Sequence, residues 1–177
     1  MFDKICIIGC GLIGSSILRG AEEKKIAKKI SVHDKSKQVT EYLKKNFTAD
    51  ICSNVSEATK DADLIIISAP LSSYKEILLS IKSTLKEGSI LTDTGSAKKE
   101  VNKIVNNLGF KNISWIASHP IAGTEYSGPA AGFSSLFKNR WCILSAENQV
   151  AKDKIKNLEK FWSKLGSKVK IMSFEDH

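Results

Sequence analysis

Lys4-Ile5-Cys6-Ile7-Ile8-Gly9-Cys10-Gly11-Leu12-Ile13-Gly14 decides the fold of this chain. Lys4 to Ile8 reads as a buried strand, Ile13 to Lys24 has the spacing of a helix, and Gly9, Gly11 and Gly14 form G-x-G-x-x-G between them. Each glycine has a task in such a turn. Gly9 permits the tight bend, Gly11 lets backbone approach a pyrophosphate, and Gly14 lets helix and strand pack closely. The helix N-terminus then offers unpaired amides and a partial positive charge to the phosphates. A second strand, Ile30 to His33, is followed by Asp34, twenty residues after Gly14, where a carboxylate accepts from an adenosine ribose and repels a 2′-phosphate. A dinucleotide site is therefore expected, with Gly9, Gly11, Leu12, Ile13, Gly14 and Asp34 as cofactor-binding residues. NAD is favoured. Lys35, Ser36 and Lys37 are able to hold a 2′-phosphate, which leaves NADP as the lesser alternative.

Outward from this turn, β-branched runs alternate with longer helix-period segments. Further strands are expected at Leu64 to Ser68, Ile90 to Thr92, Ile113 to Ala117, Trp141 to Leu144 and Val169 to Met172. Helices are expected at Lys37 to Lys45, Tyr74 to Thr84, Lys98 to Asn107 and Ala151 to Leu165. The pattern predicts an α/β fold of Rossmann type, a doubly wound, mostly parallel sheet with helices on both faces. No repeat or linker interrupts it, so residues 1–177 read as one domain. The C-terminal ends of parallel strands border the ligand crevice. Ser68, Ala69 and Pro70 follow one such strand and are counted with the cofactor site. Asp93 and Gly95 follow the next and are counted with it too.

Two blocks carry more specific information: Asp93-Thr94-Gly95-Ser96-Ala97-Lys98, and His119-Pro120-Ile121-Ala122-Gly123-Thr124-Glu125. With the glycine fingerprint and Glu175-Asp176-His177, they make the chain resemble the prephenate and arogenate dehydrogenases over essentially its whole length. The resemblance implies NAD-dependent oxidation of a ring carbinol with loss of the ring carboxylate, yielding 4-hydroxyphenylpyruvate from prephenate or tyrosine from arogenate. It implies His119 as the catalytic base and Ser96 as a serine that bonds near the same hydroxyl and orients the imidazole. Thr124, Glu125, Ser173 and His177 are implied to contact substrate together with Ser96 and His119. Lys98 reads equally as a surface residue at a helix N-terminus. Ser127 to Gly132, followed by Phe133 and Phe137, reads as a mobile loop over the crevice, with Tyr126 able to line it and core packing the expected role of Trp141. Relatives continue into an all-helical domain that makes a homodimer and supplies an arginine for the substrate carboxylate. Arg19 and Arg140, the two arginines of the sequence, do not match that residue, so the chain is expected to be the cofactor-binding part of a longer enzyme.

Composition bounds the alternatives. Twenty-seven basic against nineteen acidic residues give +8, but the lysines are scattered along helix faces without interleaved aromatics, so no nucleic-acid partner is expected. The longest apolar runs are strand-sized and the N-terminus lacks the features of a signal peptide, so no membrane segment and a cytoplasmic location are expected. Cys6, Cys10, Cys52 and Cys142 have no metal-ligand spacing; Cys6 and Cys142 read as buried hydrophobes, while Cys10 reads as facing the ligand. A 3-hydroxyacid-type dehydrogenase and a non-catalytic NAD-sensing module share the first half of the pattern and stay open as alternatives.

Overall fold

The apolar runs become strands whose alternate side chains enter opposite layers. In the computed structural model, which describes residues 2–177, β1 (Phe2–Ile8) leads into α1 (Leu12–Glu23), β2 (Ala27–His33), α2 (Lys37–Asn46) and β3 (Asp50–Ile51). Then come α3 (Val55–Thr59), β4 (Leu64–Ile67), α4 (Tyr74–Ile81), β5 (Ile90–Asp93) and α5 (Lys98–Leu108). β6 (Ser114–Pro120), β7 (Trp141–Ala146), α6 (Lys152–Leu165) and β8 (Lys168–Ile171) complete the chain. The strands form one eight-stranded sheet in the order β3-β2-β1-β4-β5-β6-β7-β8.

The strand period of two sorts the core. Ile5 and Ile7 of β1, Leu64 and Ile66 of β4 and Ile116 of β6 face a layer that contains Ile17 and Leu18 of α1, Leu43 of α2 and Phe161 and Trp162 of α6. Cys6, Ile8, Ile65, Ile67 and Ala117 face the opposite layer, with Ala58 of α3, Tyr74 and Leu78 of α4 and Val101 of α5. Each fully buried aliphatic or aromatic side chain contributes about 1.5–3 kcal/mol. Among the described residues, no helix is long and apolar enough to cross a membrane.

Three features depart from the sequence reading. β3 and α3 were not expected; they are two and five residues long, too short for a periodic signal. β7 runs antiparallel to β6, with His119 opposite Ile143 and Pro120 opposite Cys142. The reason lies in the connection: residues 121–140 carry only a short 3₁₀ turn, Pro129–Ala131, and Ile121 N still bonds Trp141 O at 2.7 Å. The chain therefore re-enters the sheet at the end it left, which forces the reversed direction.

Candidate active site

β1 lies between β2 and β4, so the strand order reverses at its C-terminal end, where open α/β sheets bind ligands. Gly9 adopts φ +88° there and donates its amide to His33 O at 2.9 Å. A Cβ at Gly9 would stand 2.6 Å from Ser68 O, so the turn needs glycine for conformation and for space. Gly14 is pressed just as closely, since a Cβ on it would overlap the carbonyl oxygen of Gly9. Gly11 differs: nothing lies within 4 Å of its virtual Cβ, and no side chain caps the helix it opens. The first amides of α1 are thus open to an anion.

Asp34 is pinned to this turn. One carboxylate oxygen accepts from Cys10 N at 2.8 Å and the other from Ser36 N at 2.9 Å. Ser36 spends its hydroxyl on capping α2 through Val39 N. Gly9, Gly11, Leu12, Ile13, Asp34, Ser68, Ala69, Pro70 and Gly95 line a cleft of about 600 Å³, within the range of cofactor sites. Gly14 supports it from behind. The sequence reading missed Val39, Val55 and Ile77, the apolar wall beyond Asp34, and His33 and Thr94 beside it. Val39 and Ile77 carry only an ordinary helix pattern, and Val55 sits on the unforeseen α3, so no motif marked them.

Asp93 does not line the cleft and is corrected as a cofactor ligand. Its side chain is fully buried, and Lys98 Nζ donates to both its oxygens at 2.5 Å. Lys98 is likewise buried rather than a surface residue, because its ammonium turns inward to the Asp93 carboxylate at the end of β5. Burial pushes the Asp93 carboxyl up and the Lys98 ammonium down, and the contact of each with the other opposes both shifts.

His119, near the end of β6, is half-buried and meets His177: Nδ1 of the first and Nε2 of the second are 2.9 Å apart. Nε2 of His119 has no hydrogen-bond partner among the described residues. Burial, then the charge of Lys98 and then His177, bring its pKa down to about 4. Ser173 makes no hydrogen bond to the imidazole. Its hydroxyl donates to Asp176 Oδ2 at 2.7 Å and accepts from Asp176 N, closing the turn that presents His177. Ser96 is exposed on the loop after β5, and its hydroxyl makes no bond to His119; the partner that orients the ring here is His177. Thr124 and Glu125 are exposed on the loop after β6, where Thr124 Oγ1 accepts from Tyr126 N at 3.2 Å.

Other expectations are corrected by packing. Cys10 directs its thiol into the core and is fully buried, so only its backbone serves the turn. Trp141 is 52% exposed, because it is the first residue of β7, next to the outermost strand β8, where little packs over it. The Ser127 to Gly132 stretch does not cover the cleft: Phe133 N bonds Ser16 Oγ at 3.1 Å and Arg19 bonds Pro129 O at 3.3 Å, which docks it on α1.

Comparison with known proteins agrees with this geometry. Residues 19–171 match the family described as prephenate dehydrogenase, nucleotide-binding domain. Cyclohexadienyl dehydrogenase of Zymomonas mobilis is 32% identical over 178 residues, covering 100% of this chain and 60% of that protein. Prephenate dehydrogenase of Lactococcus lactis is 35% identical over 158 residues, covering 88% and 44%. The crystal structure of prephenate dehydrogenase from A. aeolicus, in complex with hydroxyphenyl propionate and NAD+, superimposes with a TM-score of 0.87 at 26% identity, covering 100% of this chain and 62% of that one. The chain thus spans about half to three fifths of the length of these curated relatives. On fold, turn geometry and sequence together, the chain belongs to the prephenate dehydrogenase family, in its nucleotide-binding domain.

Proposed function

We propose that residues 1–177 form the cofactor-binding part of an NAD-dependent dehydrogenase that oxidatively decarboxylates prephenate or arogenate. The observation that carries this reading is the pairing of an open glycine cradle at β1 with a neutral imidazole, His119, near the end of β6.

The cleft fits NAD by three features. Gly11 leaves room where a pyrophosphate would approach the uncapped end of α1, and Asp34 is held by two amides where a ribose would need an acceptor. Val39, Val55 and Ile77 offer an apolar wall suited to an adenine. When bound, NAD supplies the two-electron acceptor. The protein's tasks are proximity and proton removal. His119 accepts the carbinol proton at Nε2, which requires the proton of the neutral ring to sit on Nδ1 and to be donated to His177 Nε2. As the carbinol becomes a carbonyl, the ring carboxylate leaves as carbon dioxide and the ring becomes aromatic, which drives the reaction. Ser96, Thr124 and Glu125, exposed on the loops after β5 and β6, are the polar groups this reading assigns to the substrate side.

Choice between prephenate and arogenate, and assembly into a homodimer, belong on this reading to a helical part outside these residues. The enzyme is assigned to the cytoplasm. In a version extended to the length of the relatives, His119→Asn is expected to lower kcat about 10²- to 10⁴-fold while NAD affinity is unchanged. Unaltered turnover would remove His119 from the chemistry.

A further inference from the structure

Asp93 and Lys98 are the only fully buried charged side chains among the described residues, and the function proposed above leaves them without a task. Burying two charges is expensive, and an apolar pair of similar volume is often as stable or more so. The surroundings supply a reason for this one. Besides Lys98, the Asp93 carboxylate accepts from Gly95 N at 3.1 Å, Tyr74 OH at 3.2 Å and Ser118 N at 3.3 Å. Gly95 leads directly into Ser96, Ser118 leads into His119, and Tyr74 opens α4. One carboxylate therefore fastens the ends of β5 and β6 and the start of α4, at the residues adjoining both groups assigned to the chemistry.

We propose that the Lys98–Asp93 pair is a positioning element for His119: Asp93 fixes the backbone amides next to Ser96 and His119, and Lys98 places its ammonium on the same carboxylate oxygen that holds Ser118 N, one residue from His119. The inference rests on the reading of His119 as the proton acceptor. Four groups surround His119 from the elements packed there: His177 of the turn after β8 touches the ring, Cys142 of β7 lies against the His119 backbone, Asp93 of β5 holds the preceding amide, and Lys98 of α5 sits on that carboxylate. Burial pushes the Cys142 thiol up, so it stays uncharged. Asp93 is committed to its five hydrogen bonds. Lys98 opposes protonation of His119 and His177 alike, and the Asp93 carboxylate partly offsets it at His177. An imidazole so placed is unprotonated when substrate arrives, the state a base requires.

The test is an NMR titration of the 177-residue chain, following the ring protons of its three histidines after assignment by single His→Gln variants. His119 in the unaltered chain is expected to titrate at about 4. Lys98→Met should raise that midpoint by on the order of one pH unit. Asp93→Asn combined with Lys98→Met leaves no unpaired buried charge, so it provides a folded counterpart and should show a rise of the same sign but smaller size, because the anion goes with the cation. In the extended enzyme the acid limb of kcat/KM should move upward with it. A midpoint at 6.5 or above in the unaltered chain, or a folded double variant with an unmoved midpoint, would overturn the proposal. A midpoint that rises while the acid limb stays in place would uphold the influence of Lys98 on the ring and overturn instead the reading of His119 as the base.

Discussion

Replacing Gly11 and Gly14 separately with alanine should split ligand binding from folding, because the two glycines of one turn face opposite directions. A Cβ at Gly14 would overlap Gly9 O and stand 3.0 Å from the Gly9 carbonyl carbon. The obstacle is backbone, so no rotamer change relieves it and α1 must move away from β1. Overpacking of this kind costs about 3 kcal/mol, the upper part of the usual range. For a chain of this length that lowers Tm by roughly 6–12 °C. Gly11 has φ −68° and no atom within 4 Å of its virtual Cβ, so alanine fits the free protein. The entropy gained by removing a glycine is offset by the loss of a good N-cap, leaving Tm within about 2 °C. The same methyl, however, occupies the space meant for the pyrophosphate. A clash of about 1.5–3 kcal/mol weakens NAD binding by roughly 10- to 100-fold. Thermal unfolding followed by circular dichroism, with calorimetric NAD titration, reads both effects. If Gly11→Ala binds NAD as tightly as the unaltered chain, the cradle is misplaced. If Gly14→Ala melts normally, the packing argument fails.

Asp34→Ser removes the acceptor that Cys10 N and Ser36 N share, and should weaken NAD by roughly 10-fold or more while bringing NADP to similar affinity in parallel titrations. Phe137 is fully buried with its ring 5.4 Å from that of Trp162, so Phe137→Ala should lower stability by about 3–5 kcal/mol in urea unfolding. His119 titrates at about 4 in the folded chain and near 6.5 when unfolded, so the unfolded state takes the proton first as pH falls. The stability this neutral imidazole contributes is complete above pH 6.5 and is lost between 6.5 and 4. A series of Tm values over that window should fall less steeply for His119→Asn than for the unaltered chain, and equal slopes would refute the depressed pKa.

The first turn of the fold was readable because its constraint is local: Gly9, Gly14 and Asp34 act within a few residues of β1 and β2, and their spacing records that geometry. The direction of β7 was not readable, since an apolar strand has the same pattern whichever way it runs. It follows from the path of residues 121–140, which no residue pattern announces. Trp141 misled for a related reason. An aromatic in a strand reads as core, but this one opens β7, near the outer end of the sheet, and turns outward against Lys168. In the site, the motifs located Ser96 and His119 on adjoining loop and strand ends. They did not reveal that His177 meets the imidazole, or that Asp93 turns inward to Lys98, because those contacts depend on how β5, β6 and the last turn are packed together.

Calorimetric titration of the 177-residue chain with NAD, with NADP as comparator, measures whether the cleft between β1 and β4 holds this dinucleotide. Saturable one-to-one binding of NAD, tighter than that of NADP, is expected. Absence of saturable binding by the folded chain, or a preference for NADP, would contradict it.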